Sequence, residues 1–525
     1  MERVVPRAMD YDEVLPLAIE SRSNRRTFLP VNGQSFSNTN GSTIIRIDVN
    51  ADSMLDPTHS YLTLDLHNDA AATNFLSPEI GVPMIQRLRI ESGGVTIEDI
   101  NEYGKLYAMM LLHQCPPDYI KNVCGNQGMY PTNQHSGLQD ITLGAGACVA
   151  NTMPRPSQGM GNLASQGHNP NSSDVCYLEN IQSWVAGVTD TGAMAADAAA
   201  NRPNALSILV EGSTGSIPSA GHRTYTIPLL SGLLNQDKYL PLIMMNAGFT
   251  IEIHLAPANA VGINQVQTAA IAGAYGSPVW SVKNCKYVAN LIDLDREFYG
   301  KLRGVMEAGG GVLQLAGQTY RHYSGQVAAG GSEYSLSLPA RVKSIKSIFA
   351  VPIDSTHRLG RDNYSVAVGQ TANISSWRFE IGSVRYPQTD INVEVSSVRG
   401  HPTGTQSEVV SELHKAFGRL GDYNHSSSAF PASLTNAEQI CSNEAELSRL
   451  SAFMIGYDFE AFQKVALESG INTADRSLPI NFIFTKGGIS SANAAGTANP
   501  THLDFYVLSD AIYYINLDGT VSVSV

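Results

Sequence analysis

Acidic, histidine and cysteine side chains are the groups in this chain that could do chemistry. Asp293, Asp295 and Glu297 stand two residues apart, a spacing that suggests a cation site. The segment LIDLDREFYGKLRGVM around them reads as a helix, however, where residues i and i+2 point about 200° apart. Carboxylates so placed cannot converge on one ion, and a solvated helix face is the better reading. Asn516-x-Asp518-Gly519 resembles the opening of a calcium loop. The closing glutamate is missing and alternating β residues follow at once, so a hairpin turn is the better reading. His254 alternates with apolar residues on a strand pattern, which puts it on a wet face or in a hydrogen bond. The other histidines are scattered, with no H-x-H or C-x-x-H grouping. No P-loop, H-E-x-x-H, G-x-S-x-G or G-x-G-x-x-G motif occurs, and Gly144-Ala-Gly146 and Gly159-Met-Gly161 lack a third glycine. No catalytic, metal or cofactor-binding set is assigned, and no enzymatic activity or cofactor is expected.

The six cysteines, Cys115, Cys124, Cys148, Cys176, Cys285 and Cys441, form no C-x-x-C pair. The N-terminal MERVVPRAMDYDEVLPLAIE has no apolar run like a secretory signal, and no stretch reaches the ~18 apolar residues of a membrane span. Free thiols and a protein made and kept inside a cell are therefore expected. Lys and Arg number 34 against 47 Asp and Glu, a net charge of -13. That balance argues against direct nucleic-acid binding. Charged residues are only 15% of the chain, below the about 25% of ordinary soluble domains, while 43% is hydrophobic. A weakly charged surface rich in small polar residues suits a protein covered by neighbours.

Strands dominate what positions these groups. Ile45, Ile47 and Val49 alternate with charged residues, as do Leu62, Leu64 and Leu66, with Asp56-Pro57 as turn chemistry between them. Leu88 and Ile90 repeat the pattern before Gly93-Gly94, and a helix follows at about 101–113, with Tyr103, Leu106, Tyr107, Met110 and Leu111 at helical spacing. Residues 115–205 are Gly-, Asn-, Ser- and Pro-rich and read as a surface insertion. SGLLNQDKYLPL reads as helix-like and ends at Leu240-Pro241, before the strand Phe249 to Leu255.

The plan then repeats. SWRFEIGSVRYPQTDINVEV is laid out like RLRIESGGVTIEDINEYGK, and a helix follows each. The second helix starts at Thr405 with Glu408 as a capping box, and Val409, Leu413, Ala416, Phe417 and Leu420 form its apolar stripe. Leu478-Pro479 precedes Ile480, Phe482 and Phe484 as Leu240-Pro241 precedes its own strand, and the chain closes on Val521, Val523 and Val525. Two β-sandwiches in series are expected. Residues 1–40 form an N-terminal arm, 41–292 the first sandwich, 293–311 a linker helix with the Gly309-Gly310-Gly311 boundary, and 312–525 the second sandwich. Arg22, Arg25 and Arg26 on the arm are candidate inter-subunit contacts.

RTYTIPLLSGLLNQDKYLPL, ESGINTADRSLPINFIF and LDFYVLSDAIYYINLDGTVSV carry a resemblance over about residues 40–525. The chain resembles the double jelly-roll major capsid proteins of double-stranded DNA viruses, in the Polinton-like virus, virophage and large eukaryotic DNA virus lineage. That resemblance implies an all-β fold of two tandem eight-stranded jelly rolls with short helices and long insertions. It implies a homotrimer of pseudo-hexameric outline that tiles an icosahedral shell, with penton and minor capsid proteins as partners. It implies location in the virion after assembly inside the infected host cell, insertions projecting outward and the arm inside; an inner membrane is not indicated. A β-sandwich lectin, adhesin or receptor-binding protein is the alternative. A carbohydrate-active enzyme ranks below it, because no carboxylate pair can be nominated.

Overall fold

The computed structural model describes residues 20–37, 42–69, 74–76, 81–114, 127, 220–236, 238–257, 264–266, 279–328, 331–354, 374–393, 406–418, 454–461, 469–475, 478–486 and 500–525. Alternation of apolar and polar residues builds most of it as antiparallel strand. In the N-terminal half these are β1 (Ser21–Phe28), β2 (Ser35–Ser37), β3 (Ile44–Val49), β4 (Met54–Asn68), β5 (Asn74–Leu76), β6 (Ile85–Ser92) and β7 (Val95–Asn101). The helix α1 (Tyr103–Gln114) follows, then β8 (His222–Ile227), β9 (Leu240–Pro241), β10 (Phe249–Leu255), β11 (Asn264–Val266) and β12 (Trp280–Leu294). Helix α2 (Arg296–Ala308) leads into β13 (Val312–Val327), β14 (Glu333–Leu338), β15 (Ile345–Asp354), β16 (Ile374–Ile381) and β17 (Val384–Asn392). Helix α3 (Gln406–Ala416), β18 (Ile455–Asp458), β19 (Ile480–Lys486), β20 (Thr501–Asn516) and β21 (Val521–Ser524) complete the chain.

The sheets assemble in the same order twice. One pair of sheets runs β1-β12-β4-β8 and β3-β10-β6-β7; the other runs β13-β20-β15-β18 and β14-β19-β16-β17. Counting the main strands within each half, both read first-eighth-third-sixth and second-seventh-fourth-fifth. This is the strand order of a jelly roll, which packs two sheets face to face. The two motifs that look alike in sequence are the β6–β7 and β16–β17 hairpins, each followed by its helix. Period-two side chains fill both interiors. Ile45, Ile47, Leu62, Leu64, Leu88, Ile90, Ile251 and Ile253 line the first roll. The second is aromatic: Trp377, Phe379, Phe482 and Phe505 pack with centroids 5.0–6.4 Å apart. Each such burial is worth about 1.5–3 kcal/mol.

Connections divide by end. At one end β3 meets β4 through residues 50–53, and β6 turns into β7 at Gly93-Gly94. The long stretches 115–219, 355–373 and 419–453 all join strands at the opposite end. The short-turn ends of the two rolls lie together, since Asn246 Nδ2 donates to Asp518 O at 2.7 Å.

Several expectations change. Residues 21–28 are not arm: β1 pairs with β12 along its whole length, from Ser21 against Leu294 to Phe28 against Tyr287. Residues 1–19 lie outside the described residues. Asp56-Pro57 does not separate two strands. It opens a bulge inside β4, where residues 57–60 stand between the pairs Asp56–Asn290 and Tyr61–Val288. The Asp56 carboxylate holds the bulge by accepting from Thr58 Oγ1 at 2.8 Å, with His59 Nδ1 also 2.8 Å away. SGLLNQDKYLPL is no helix but one turn, closed by Asn235 N to Ser231 O, followed by β9. Its Leu240-Pro241 pairs with Met54 and Leu55 on β4, whereas the equivalent contact in the second roll is Ile471 against Ile345; Leu478-Pro479 sits farther along that connection. The closing valines form an extra strand. The eighth strand of the second roll is β20, and β21 folds back on it through the Asp518-Gly519 turn, Gly519 having φ +80°.

Candidate functional site: the seam between the rolls

Helix α1 is apolar nearly all round and buried nearly all round, which a surface helix would not be. It lies between the rolls. Tyr103 OH accepts the Leu230 N–H at 2.6 Å, while Tyr506 of β20 donates to Glu102 O at 3.2 Å. One hydrophobic cluster runs from Leu62 and Ile251 in the first roll through Leu106 and Met109 to Phe349, Leu413, Tyr506 and Tyr513 in the second.

Two buried charged centres cross this seam. The first is Asp504 on β20. Lys105 of α1 donates to its Oδ2 at 2.7 Å, and His322 and His502 Nε2 lie 3.0 and 3.1 Å from its Oδ1. Burial pushes the carboxyl up, but Lys105 beside it and the two histidine hydrogen bonds outweigh that and hold it well below the usual range. The second is Glu98 on β7, fully buried. It accepts from Gly232 N–H at 2.8 Å, from Tyr513 OH at 2.5 Å and from Ser231 Oγ. Here burial wins over those hydrogen bonds and raises the carboxyl above its ordinary value.

The backbones approach closely at the same place. A Cβ on Gly232 would stand 2.3 Å from Gln318 O and from Tyr513 Oη, and one on Gly317 would stand 2.9 Å from Gly232 O. Two glycines facing each other let the turn after β8 lie directly on β13. The arrangement fixes one roll on the other.

A pH dependence follows from Glu98. Its folded-state pKa is raised, so its contribution to stability is complete below about pH 4.5 and is lost as the pH rises through the folded value. Glu98→Gln carries no such loss. Its melting temperature is expected to gain on the parent protein as the pH rises from about 4.5 toward neutral. A constant difference across that range, read by differential scanning fluorimetry, would show that Glu98 does not titrate in this window.

The residues singled out in the sequence lie elsewhere. Arg22, Arg25 and Arg26 are exposed on β1, an edge strand; Arg25 reaches Tyr61 OH at 3.4 Å and Arg26 lies over the Phe28 ring at 5.1 Å. Asp293 ends β12 rather than lying on a helix, and accepts from Asn24; Glu297 on α2 pairs with Lys301 at 2.8 Å. His254 contacts Glu252 at 2.7 Å. Cys285 is a buried free thiol, pushed up to about 12 by burial, and the other five cysteines lie outside the described residues, as does Thr405. Sequence reading missed Glu98, Lys105 and Asp504. The one available signal was a lysine inside the apolar pattern 103–111.

Strand order and seam together define the class: the chain is a double jelly roll. No family model matches it, and no curated protein matches it. Among solved structures it is similar to PBCV-1 VP54, fitted into a cryo-EM reconstruction of the virophage Sputnik, at 9% identity over 98% of this chain and 99% of that one, with a TM-score of 0.50. The Faustovirus major capsid protein gives 8%, 96%, 92% and 0.49 for the same measures, and the mavirus major capsid protein 10%, 100%, 95% and 0.46.

Proposed function

We propose that this chain is a viral major capsid protein, a scaffold rather than an enzyme, whose trimers tile an icosahedral shell. The observation that carries the reading is the repeated strand order of two rolls locked by one seam. Three chains then offer six similar wedges, and a trimer fills a six-sided place in a lattice. Likeness to PBCV-1 VP54 over nearly the full length of both chains supports it. The protein's place is the virion, reached after assembly inside the host cell. Its partners are further copies, then penton and minor capsid proteins. With a net charge of -13 it makes no direct contact with the genome.

The end carrying the long connections faces outward, and the short-turn end faces inward. Arg22, Arg25 and Arg26, exposed on β1, face acidic side chains of a neighbouring subunit. Purified protein is expected to elute as a trimer by light scattering and to form capsomers of hexagonal outline in negative stain. A monomer that persists at high concentration would overturn the reading.

A further inference from the structure

His67 at the end of β4 and His222 at the start of β8 are directly opposed across the strand pair. The next pair is hydrogen-bonded, Asn68 N–H donating to Gly221 O at 2.9 Å. His67 and His222 therefore form a non-hydrogen-bonded pair, the kind in which facing side chains stand closest. Their imidazole centres are 5.0 Å apart, with planes 20° from parallel. Leu64, Leu66, Tyr225 and Ile227 occupy the core side of these strands, so both rings stand on the outer face, His67 half-buried and His222 exposed. Among the described residues neither ring hydrogen-bonds to the protein, which leaves their nitrogens open.

We propose that His67 and His222 form a two-histidine chelate for a divalent transition metal of the zinc, nickel or copper class. Imidazole suits these ions. With about 2.0–2.1 Å from each nitrogen to the ion, two imidazoles on one tetrahedral centre have ring centres about 5 Å apart. The observed spacing matches that distance; the ring planes, now 20° from parallel, must turn about their side-chain torsions for one nitrogen of each to face a common ion. Asp65, on the same face two residues before His67, and Asp69, two residues after it, add negative charge; Lys283 opposes them. Asp65 is occupied, accepting from Thr224 Oγ1 at 2.6 Å and from Asn284 Nδ2 at 2.7 Å, so it acts on the ion through its field. An ion there ties β8, an edge strand, to β4 at the point where the chain re-enters the sheet after residues 115–219.

The inference does not rest on the capsid reading. The full-length untagged protein is titrated with nickel and with zinc by calorimetry, and melted with and without each ion. The parent protein is expected to bind about one ion per chain and to melt higher in its presence. Losing an outer partner of a ligand already costs 10–100-fold, so His67→Gln and His222→Gln are each expected to weaken binding at least about tenfold, and the double variant little further. No binding by the parent at millimolar ion would overturn the proposal. So would unchanged binding in both single variants, which would put the ion on other histidines.

Discussion

Asp504→Ala is expected to destabilise the protein by about 3–5 kcal/mol, because it strands the Lys105 ammonium inside the seam. The two side chains are 9% and 1% exposed, so bulk solvent does not reach the stranded charge. The cost belongs to the orphaned charge more than to the pair. Replacing both members, Lys105→Met with Asp504→Leu, should therefore recover most of the loss. Urea unfolding of the single and double variants measures both. A single-variant cost under about 1 kcal/mol would mean that the pair does not hold the seam. Acid acts on the same group. Its folded-state pKa is depressed, so its contribution is complete above about pH 3.8 and disappears as the pH falls through the folded value.

Gly232→Ala is expected to cost a similar amount by a different route. The new methyl would overlap Gln318 O, Tyr513 Oη and Glu98 Oε1, at 2.3, 2.3 and 2.7 Å. One of these is backbone within β13, so the turn must lift away. Overpacking costs about 1–3 kcal/mol, and each buried hydrogen bond left unmade at Glu98 adds about 1–3 kcal/mol. A total of about 3–5 kcal/mol is the expected result. Gly304→Ala is the control: nothing lies within 4 Å of its Cβ, and in a helix the exchange should stabilise by about 0.5–1 kcal/mol. Equal effects at the two positions, by denaturant melts, would refute the close-approach argument.

What could be read in the sequence was periodic. Ile45, Leu62, Leu88 and Ile251 announce strands because a half-buried strand must alternate, and Asp518-Gly519 announces a hairpin because its turn needs a left-handed residue. The strand β1 was hidden: SRSNRRTF buries only Phe28, so an edge strand held mainly by its backbone looks like a solvated arm. The bulge at Asp56-Pro57 was hidden because proline ends most strands; here the Asp56 carboxylate and the Ser60 hydroxyl, which bridges Asp56 O and the Asn290 N–H, let the strand continue. The seam was least legible. Glu98 meets Tyr513 and Lys105 meets Asp504 across some 400 residues, and nothing local in either segment marks its partner.

That long reach has a consequence for biosynthesis. Helix α1 leaves the ribosome early, yet the strand that covers its second side, residues 501–516, is almost the last to emerge. The first roll's own closing strand, β12, arrives long before, so that roll can form while one of its apolar faces is still uncovered. While the second roll is translated, the nascent chain carries a sticky surface whose native cover, from Tyr320 and Phe417 as well as Tyr506, is incomplete. Chaperone occupancy of the nascent chain is then expected to fall once residues 501–516 have emerged.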